Sequence, residues 1–321
     1  MFPRSGPGLD VRRQFRPGHC KLWADGYTLG QMTTMDQADR YIDRVNDLPP
    51  APAIAAELLG LLSDPRAHTD RFVELVRHDP ALTGRVLKLC NNGFFGEEDP
   101  AADIFDAVMR LGYYEIYFVV AALVSSNAMA IAKNAEGFDI NELWQHTVTS
   151  AVAGEKLAQR VGEPPAVAFT VALLHEIGQL VFAAVEPARY AEVRRQTEMF
   201  GGSLAVAERA AFGVDHATVG ARLLVRWGLP ESVCQAVRHH NDPPAAARPH
   251  ERLVAVVQMA HTLADYLATP DFSLEDWSAG HPEAMNLLGL TAEDLPLLLE
   301  QIETRCEQVQ GFSKLSFCAA V

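Results

Sequence analysis

The stretch of sequence that decides the fold is Ala172-Leu173-Leu174-His175-Glu176-Ile177-Gly178. An apolar run of this kind is typical of a buried helix, so we expect the side chain of His175 to point into the core. A histidine and a glutamate at the end of one helix can direct a nitrogen and an oxygen at the same ion, and both atoms suit Zn, Mn or Fe. The stretch therefore predicts a buried helix that delivers a pair of metal ligands.

The rest of the chain also has helical patterning. Runs of alternating β-branched residues are nearly absent, and between Pro, Gly and Asn residues the apolar side chains recur at helical spacing. Long helices are predicted at 115–133, 141–161 and 252–267. Shorter helices are predicted at 52–63, 69–76, 81–90, 104–110, 166–174, 190–199, 204–212, 216–227, 231–238, 282–288 and 292–309, with Thr291 as an N-cap. The predicted fold class is all-α, and a break near Gly137 separates a front block of helices from a back block.

The composition and the net charge limit the class of protein. The 321 residues are 49% hydrophobic and 21% charged, as in ordinary globular proteins, and the net charge is −14. Such an excess of acidic groups does not favour sequence-independent binding of nucleic acid. The first 30 residues are the one basic stretch of the chain, with Arg4, Arg12, Arg13 and Arg16. Because they also mix Gly with Pro, they are predicted to be a mobile tail.

The sequence gives no sign of export. No uncharged apolar run approaches the roughly 20 residues that a membrane span needs, and the N-terminus lacks the apolar segment of a signal peptide. The five cysteines are scattered without a CxxC pair, which argues against a disulfide framework and against a cysteine zinc site. We expect a cytoplasmic protein that binds neither membrane nor nucleic acid.

Several other histidines are placed where they could act with His175. His146 lies inside a long predicted helix, His216 begins another, and His239-His240 ends a third. Because a histidine beside an apolar helix is more often a core or capping residue than a ligand, spacing alone does not establish a metal site. Asp265 lies four residues after His261 and therefore on the same helix face. We interpret the remaining histidines as structural residues: His261, His250, His19, His68, His78 and His281.

These motifs resemble a known superfamily. The run from Ala172 to Gly178 is similar to the "LLHDIG" signature of HD-domain proteins, which are largely metal-dependent phosphohydrolases, and Leu143-Trp144-Gln145-His146 resembles their upstream W-x-H element. Further motifs follow the order seen in the HDOD branch (HD-related output domains), over about 47–267. They are Leu48-Pro49, His78-Asp79-Pro80, Leu89-Cys90-Asn91-Asn92, Ala107 to Gly112, Glu208 through His216 to Gly220, Trp227 to Pro230, and His239-His240.

The resemblance implies an architecture and a site. It implies a two-lobed helical HDOD/HD-like module, with an N-terminal lobe at 31–137, an HD-like lobe at 138–268 and a C-terminal helical extension at 269–321. It also implies candidate ligands for a divalent Fe, Mn, Zn or Mg ion. These candidates are His146, His175, Glu176, His216, His239, His240 and Asp265.

Three departures from the catalytic pattern bear on function. Glu176 stands where hydrolases have aspartate, and its extra methylene moves the carboxylate in a site that tolerates roughly 0.5 Å. Gln179 replaces a lysine that pairs with phosphate in the HD-GYP branch, and Asn241-Asp242-Pro243 lacks the extended motif of that branch. Hydrolysis of cyclic dinucleotides in the manner of HD-GYP proteins is therefore not expected.

Three hypotheses for function follow. The first, typical of HDOD domains, is a bacterial signal-transduction output module that acts through a signalling protein, through self-association or through a small ligand such as a nucleotide, with a retained metal site. The alternative is a metal-dependent phosphohydrolase of nucleotides or cyclic nucleotides. The third is a scaffold in which the histidines are hydrogen-bonded core residues. No receiver, GGDEF or kinase segment is recognisable, so we expect a regulatory module to act in trans.

Overall fold

The computed structural model describes residues 34–45, 69–77, 83, 84, 87, 103–111, 132, 135–242, 247–268 and 273–318, with side chains described up to 307. The tail predicted at 1–30 and the helix predicted at 52–63 lie outside these residues. So do most of the helices predicted at 81–90 and 115–133. The proposed lobe boundaries stay predictions.

Every regular element in the described part of the chain is helical, with no β-strand, so the all-α prediction is confirmed there. The α-helices are α1 (Thr34–Asp43), α2 (Thr69–Arg77), α3 (Ile104–Leu111), α4 (Ile140–Val161), α5 (Pro165–Leu174), α6 (Ile177–Val185), α7 (Pro187–Phe200), α8 (Leu204–Phe212), α9 (His216–Arg226), α10 (Glu231–His239), α11 (Glu251–Ala268), α12 (Leu274–Gly280), α13 (Pro282–Leu288) and α14 (Leu295–Cys318). A single 3₁₀ turn, Ala292–Asp294, precedes α14.

The long helix α4 is the centre of the back block. It begins at Asp139, whose carboxylate accepts from the backbone N–H groups of Asn141 and Glu142, and it ends at Gly162 in the left-handed conformation. Helices α5, α11 and α14 all pack on α4. Small residues such as Ala151 and Ala153 are fully buried, which allows the close approach of these neighbours.

Helices α5 and α6 form the most apolar part of the core. The 21 residues Pro165–Val185 have a mean hydropathy of 1.7, and by length and composition alone this stretch could cross a membrane. It contains Glu176, is wholly buried among other helices, and is broken at His175-Glu176. Because Glu176 lies within it, the stretch is compatible with the expectation that no uncharged apolar run approaches this length. Helix α6 was not predicted, because a helix that is apolar on every side has no hydrophobic period.

Helices α6 and α9 cross with almost no space between their backbones. A Cβ atom added to Gly178 in α6 would lie 2.0 Å from the carbonyl oxygen of His216 and 2.8 Å from the nitrogen of Gly220, both in α9. Only hydrogen fits at this crossing. Because Glu176 immediately precedes α6 and His216 begins α9, the crossing sets the distance between these two side chains.

Helix α1 packs on the outer side of α6 and α9. The Asp39 carboxylate accepts from Arg222 at 2.9 Å and from Arg226 at 2.7 Å, and both arginines belong to α9. Tyr41 inserts its ring against Phe182 and Phe212. The sequence did not predict this helix, because it is polar overall and Ile42 is the only large apolar side chain among its buried residues, Gln37, Ala38 and Ile42.

The C-terminal helices are part of the same core. Thr291 forms the predicted N-cap, in a capping box with Asp294. Leu295, Leu298 and Ile302 of α14 are buried, and the carboxylate of Asp294 accepts from Arg160 of α4 at 2.6 Å. The C-terminal extension therefore packs on the HD-like lobe, and it contributes one wall of the cleft described below.

The α6–α9 crossing gives the first prediction. Gly178→Ala places a methyl group against backbone atoms that cannot move aside, so the free energy of unfolding should fall by about 2 kcal/mol or more. The measurement is the urea unfolding midpoint. Gly280→Ala is the matched control because a Cβ there meets no atom within 4 Å, and its midpoint should be unchanged or slightly raised. Equal midpoints for the two variants would show that the crossing is not close-packed.

Candidate metal centre

The carboxylate of Glu176 is the centre of a buried cluster. It is held in the turn between α5 and α6, and its side chain is 4% exposed. One oxygen, Oε1, lies 3.4 Å from Nε2 of His175 and 3.5 Å from Nδ1 of His261. The other oxygen, Oε2, lies 3.2 Å from Nε2 of His216. Nε2 of His240 also lies 3.8 Å from Oε1, so the carboxylate is surrounded by imidazoles on both oxygens, in two groups that share it.

The first group contains His146, His175 and His261, which come from α4, the end of α5 and α11 respectively. Nδ1 of His261 lies 2.9 Å from Nε2 of His175 and 3.0 Å from Nε2 of His146. With Glu176, each residue offers one donor atom, and these atoms all lie within 4.8 Å of one another. Donor atoms from α4, the α5–α6 turn and α11 are thus close enough together to hold one ion.

The second group contains His216 and His240, which also share Glu176 within the same 4.8 Å limit. The Nε2 atoms of His216 and His240 are 3.3 Å apart. The amide nitrogen of Asn241 lies 2.9 Å from Nε2 of His240 and 3.1 Å from Nε2 of His216. Glu176 is therefore common to two adjoining sets of potential ligands.

The outward nitrogens of two histidines are fixed by the backbone. Nδ1 of His175 donates to the carbonyl of Ala172 at 2.6 Å, and Nδ1 of His240 donates to the carbonyl of Val237 at 2.7 Å. Because a carbonyl only accepts, the proton must sit on Nδ1. In the neutral ring, Nε2 then carries a lone pair that is directed at the cluster. This Nδ1–H tautomer is the one that binds a metal through Nε2.

A carboxylate fixes His216 in the same orientation. Glu208 accepts from Nδ1 of His216 at 2.6 Å and from the backbone N–H of the same residue at 2.7 Å. The other oxygen of Glu208 accepts from the hydroxyl of Tyr190 at 2.9 Å. All three side chains are nearly or fully buried. Carboxylates placed in this way behind a ligating histidine orient the ring and raise its basicity.

Asp265 has this supporting role for the remaining two histidines. Its carboxylate lies 3.2 Å from Nδ1 of His146 and 3.6 Å from Nε2 of His261, in each case the nitrogen on the side away from Glu176. This leaves the inward nitrogen of each ring as the acceptor. All five histidines of the cluster therefore have one nitrogen facing inward and the other nitrogen beside an oxygen acceptor.

The ionisation of the cluster follows from burial and from neighbouring charge. Burial opposes the charge on Glu176, but the histidines, His216 first, outweigh it and hold the pKa of that carboxyl well below its usual value. Burial also opposes the charge on His216, while Glu176 and Glu208 raise its pKa to about 10. Burial lowers the pKa of His240 to about 3 and that of His175 well below its usual value.

The donor set fits a divalent cation. The neutral rings of His175 and His240 direct lone pairs at the carboxylate of Glu176, an arrangement of acceptors that a cation would satisfy. For a metal–nitrogen distance of about 2.1 Å, the donors of a tetrahedral ion are about 3.4 Å apart. The separations of 2.9–3.5 Å around Glu176 Oε1 match this spacing. Imidazole with carboxylate suits Zn, Fe or Mn better than Mg, which prefers oxygen.

The cluster lies at the floor of a cleft of about 1000 Å³. Its rim is acidic, with Glu142, Asp265 and two glutamates of α14, Glu303 and Glu307. Arg194 is the only lysine or arginine among the described residues that line the cleft. Its guanidinium already lies near the carboxylates of Glu142 and Glu198, at 3.5 and 3.7 Å. A ligand in this cleft would meet the histidine cluster and a negatively charged rim.

The structure separates the sequence-predicted ligands into three kinds. His146, His175, Glu176, His216 and His240 are brought together. Asp265 lies behind two of the histidines instead of inside the cluster. His239 lies outside it, with Nδ1 3.3 Å from Asp242, because successive residues of a helix point about 100° apart and only one of the pair can face inward.

Sequence reasoning missed three contributors. His261 was interpreted as structural, and its position in the cluster corrects that interpretation; its place one turn before Asp265 was the available signal. Asn241 directly follows His240, but nothing in its pattern distinguished it from a loop residue. Glu208 lies eight residues before His216, a separation that does not reveal that α8 and α9 bring the two together.

Comparison with known proteins identifies the family of the chain and supports its fold. The HDOD domain family matches residues 48–243, and the chain belongs to that family. A crystal structure of an HDOD domain protein from Geobacter sulfurreducens is 27% identical, with a TM-score of 0.59, over 72% of this chain and 77% of that one. A candidate phosphohydrolase from Shewanella amazonensis SB2B is also 27% identical, with a TM-score of 0.61, over 84% of this chain and 97% of its own.

Two further relatives extend the comparison. A candidate signal transduction protein from Marinobacter aquaeolei VT8 has a TM-score of 0.70 at 23% identity, over 88% of this chain and 65% of that one, and supports the fold alone. An uncharacterised protein of Treponema pallidum is 27% identical over 239 residues. These residues are 74% of this chain and 46% of the relative, so the chain spans about half the length of that protein.

The adjacent histidines provide a matched pair of variants. His240→Ala removes an inward nitrogen and should weaken zinc binding about 10-fold or more, whereas His239→Ala removes a ring outside the cluster and should change it less than about 2-fold. The measurement is competition for Zn²⁺ against a chromophoric chelator. Equal weakening by both variants would contradict the assignment of inward and outward rings.

Proposed function

We propose that this protein is a metal-binding regulatory module of the HDOD type. The observation that carries the proposal is the set of five inward-facing imidazoles around the buried carboxylate of Glu176. The amides of Asn241 and Gln179 supply donors to the second group and to Oε2 of Glu176, whereas the inward nitrogens of the first group converge beside Oε1, where a cation would satisfy them together. This argues against the purely structural hypothesis.

The regulatory step follows from where the ligands come from. They are supplied by α4, the α5–α6 turn, α9, α11 and the end of α10. A cation would add a direct link between these helices, so the loaded and empty proteins would differ in how firmly the helices pack. A change in packing of this kind can alter a surface to which another protein binds. The partner that we propose is a signalling protein or a second copy of the chain, in the cytoplasm and not on nucleic acid.

A metal-dependent phosphohydrolase of nucleotides or cyclic nucleotides is the second candidate. It is favoured by the open cleft above the cluster and by 27% identity with the Shewanella candidate phosphohydrolase. A bound cation would there supply acidity to a coordinated water. Two features oppose it: the rim is acidic, and Gln179 is buried and donates its amide to Glu176. The residue at this position therefore presents no positive charge to a phosphate.

Metal analysis tests the main proposal. Protein purified without chelator should contain about one or two equivalents of Zn, Fe or Mn, and removal of the metal should lower the melting temperature by several degrees, because ligands that bind only the folded state stabilise it. Glu176→Gln keeps the shape of the side chain but removes the shared charge, and its metal content should fall several-fold. Glu192→Gln, on the surface of α7, is the control. Metal below about 0.1 equivalent in the unaltered protein would overturn the proposal.

A turnover assay separates the two candidates. The regulatory module should release no phosphate or nucleoside monophosphate above background from linear and cyclic nucleotides with Mn²⁺, Fe²⁺ or Mg²⁺. Turnover that disappears in His175→Ala would instead establish the phosphohydrolase. Unchanged turnover in that variant would point to a contaminating enzyme, and the regulatory proposal would stand.

A further inference from the structure

A buried polar chain leads away from the metal centre. The hydroxyl of Tyr190 donates to Glu208, and Glu208 accepts both N–H groups that His216 offers on that side. The exposed fractions of Tyr190, Glu208 and His216 are 0%, 0% and 2%. Each oxygen of Glu208 thus has a donor, and the ring of His216 cannot turn without breaking one of these bonds. Tyr190 and Glu208 are positioning residues for His216.

The ring of Tyr190 continues the chain through aromatic packing. Its centroid is 5.5 Å from that of Phe182 in α6 and 6.1 Å from that of Phe212 at the end of α8. Phe182 and Phe212 are stacked at 4.7 Å. Tyr41 of α1 meets both of them edge-on, at 5.1 and 6.0 Å. Contacting side chains therefore connect the metal centre to helix α1.

A second route joins α1 to the same histidine. Arg222 and Arg226 of α9 hold Asp39, and Arg226 also donates to Asp43 at 2.6 Å. Helix α9 begins at His216. A rigid helix thus has a metal-centre residue at one end and the ion pairs with α1 in its second half. Both routes link α1 to His216.

Helix α1 is suited to be the element that responds to metal binding at the cluster. Ten residues are too few for a helix to persist in water by itself, so α1 depends on its contacts with α6 and α9. It can therefore exchange between a docked and an undocked state with a small free-energy difference. An element with two states is the physical requirement for coupling between distant sites.

We propose that the docking of α1 and the loading of the metal centre are coupled through Tyr190, Glu208 and α9, so that each favours the other. This inference rests on the proposed function, because it takes the cluster to bind a cation. A cation on Nε2 of His216 fixes the ring, the ring fixes Glu208 and Tyr190, and the aromatic contacts hold Tyr41. The output surface of the module is then α1 together with the face of α6 and α9 that it covers.

The coupling must be reciprocal, which gives two independent readouts. Tyr41→Ala removes the ring from the aromatic group and should weaken Zn²⁺ binding about 5-fold or more, whereas the matched Tyr41→Phe keeps the ring and should bind within about 2-fold of the unaltered protein. Tyr190→Phe keeps its ring but loses the bond to Glu208, and should weaken binding about 10-fold. The affinities are measured on the full chain by competition with a chromophoric chelator.

The second readout is hydrogen exchange of residues 34–43. Saturating Zn²⁺ should slow exchange of these amides by about 5-fold or more in the unaltered protein, and by clearly less in Tyr190→Phe. If Tyr190→Phe does not fold, as judged by circular dichroism, Asp39→Asn replaces it, since this change at the surface weakens the second route without disturbing the core.

The outcomes separate the two proposals. Absence of zinc binding in the unaltered protein would overturn both the metal-binding module and the coupling. Two results together would overturn the coupling alone. The first is equal zinc affinity in Tyr41→Ala, Tyr41→Phe and Tyr190→Phe (or its replacement Asp39→Asn). The second is hydrogen exchange of residues 34–43 at the same rate with and without zinc. Weaker binding in Tyr41→Ala with metal-dependent protection of α1 would support it.

Discussion

The structure depends on one electrostatic arrangement, the ionised carboxylate of Glu176 surrounded by five imidazoles in the protein interior. An isolated buried carboxylate is costly, and so is a group of buried lone pairs with no donor. Here both occur at one point: the charged ring of His216 pairs with the carboxylate at 3.2 Å, whereas the rings of His175 and His240 direct lone pairs towards it, and a divalent cation would satisfy all of these groups. The helices that supply these groups are held by apolar packing around α4, so the geometry of the cluster does not depend on a flexible loop.

The positions of these groups are set by close packing of two glycines and by the acceptors behind each ring. The crossing at Gly178 and Gly220 brings the start of α6 and the start of α9 to contact distance, and thereby places Glu176 beside His216. Backbone carbonyls and the carboxylates of Glu208 and Asp265 then turn each ring so that one nitrogen faces inward. The same supporting groups connect the cluster to α1, which makes a local binding event capable of a change at the surface.

The sequence was sufficient for the fold class, for the family and for much of the cluster, because these depend on local patterns. The apolar run before His175 predicts burial, and ordered motifs identify the HDOD branch. The sequence did not show which of His239 and His240 faces inward, nor that His261 belongs to the cluster, since both depend on how α10 and α11 are rotated in the packed protein. Helix α1 was missed because Ile42 is the only large apolar side chain among its buried residues, and α6 was missed because it is apolar all round.

The central claim is that Glu176 is the shared ligand of a metal centre, and anomalous X-ray diffraction from crystals grown without chelator tests it most directly. Data collected on both sides of the Zn, Fe and Mn absorption edges would locate and identify a bound ion. The account predicts one or two anomalous peaks within about 2.3 Å of the carboxylate oxygens of Glu176 and of the inward nitrogens of the histidines around it. A well-ordered cluster without such a peak, in protein saturated with each of these metals, would contradict it.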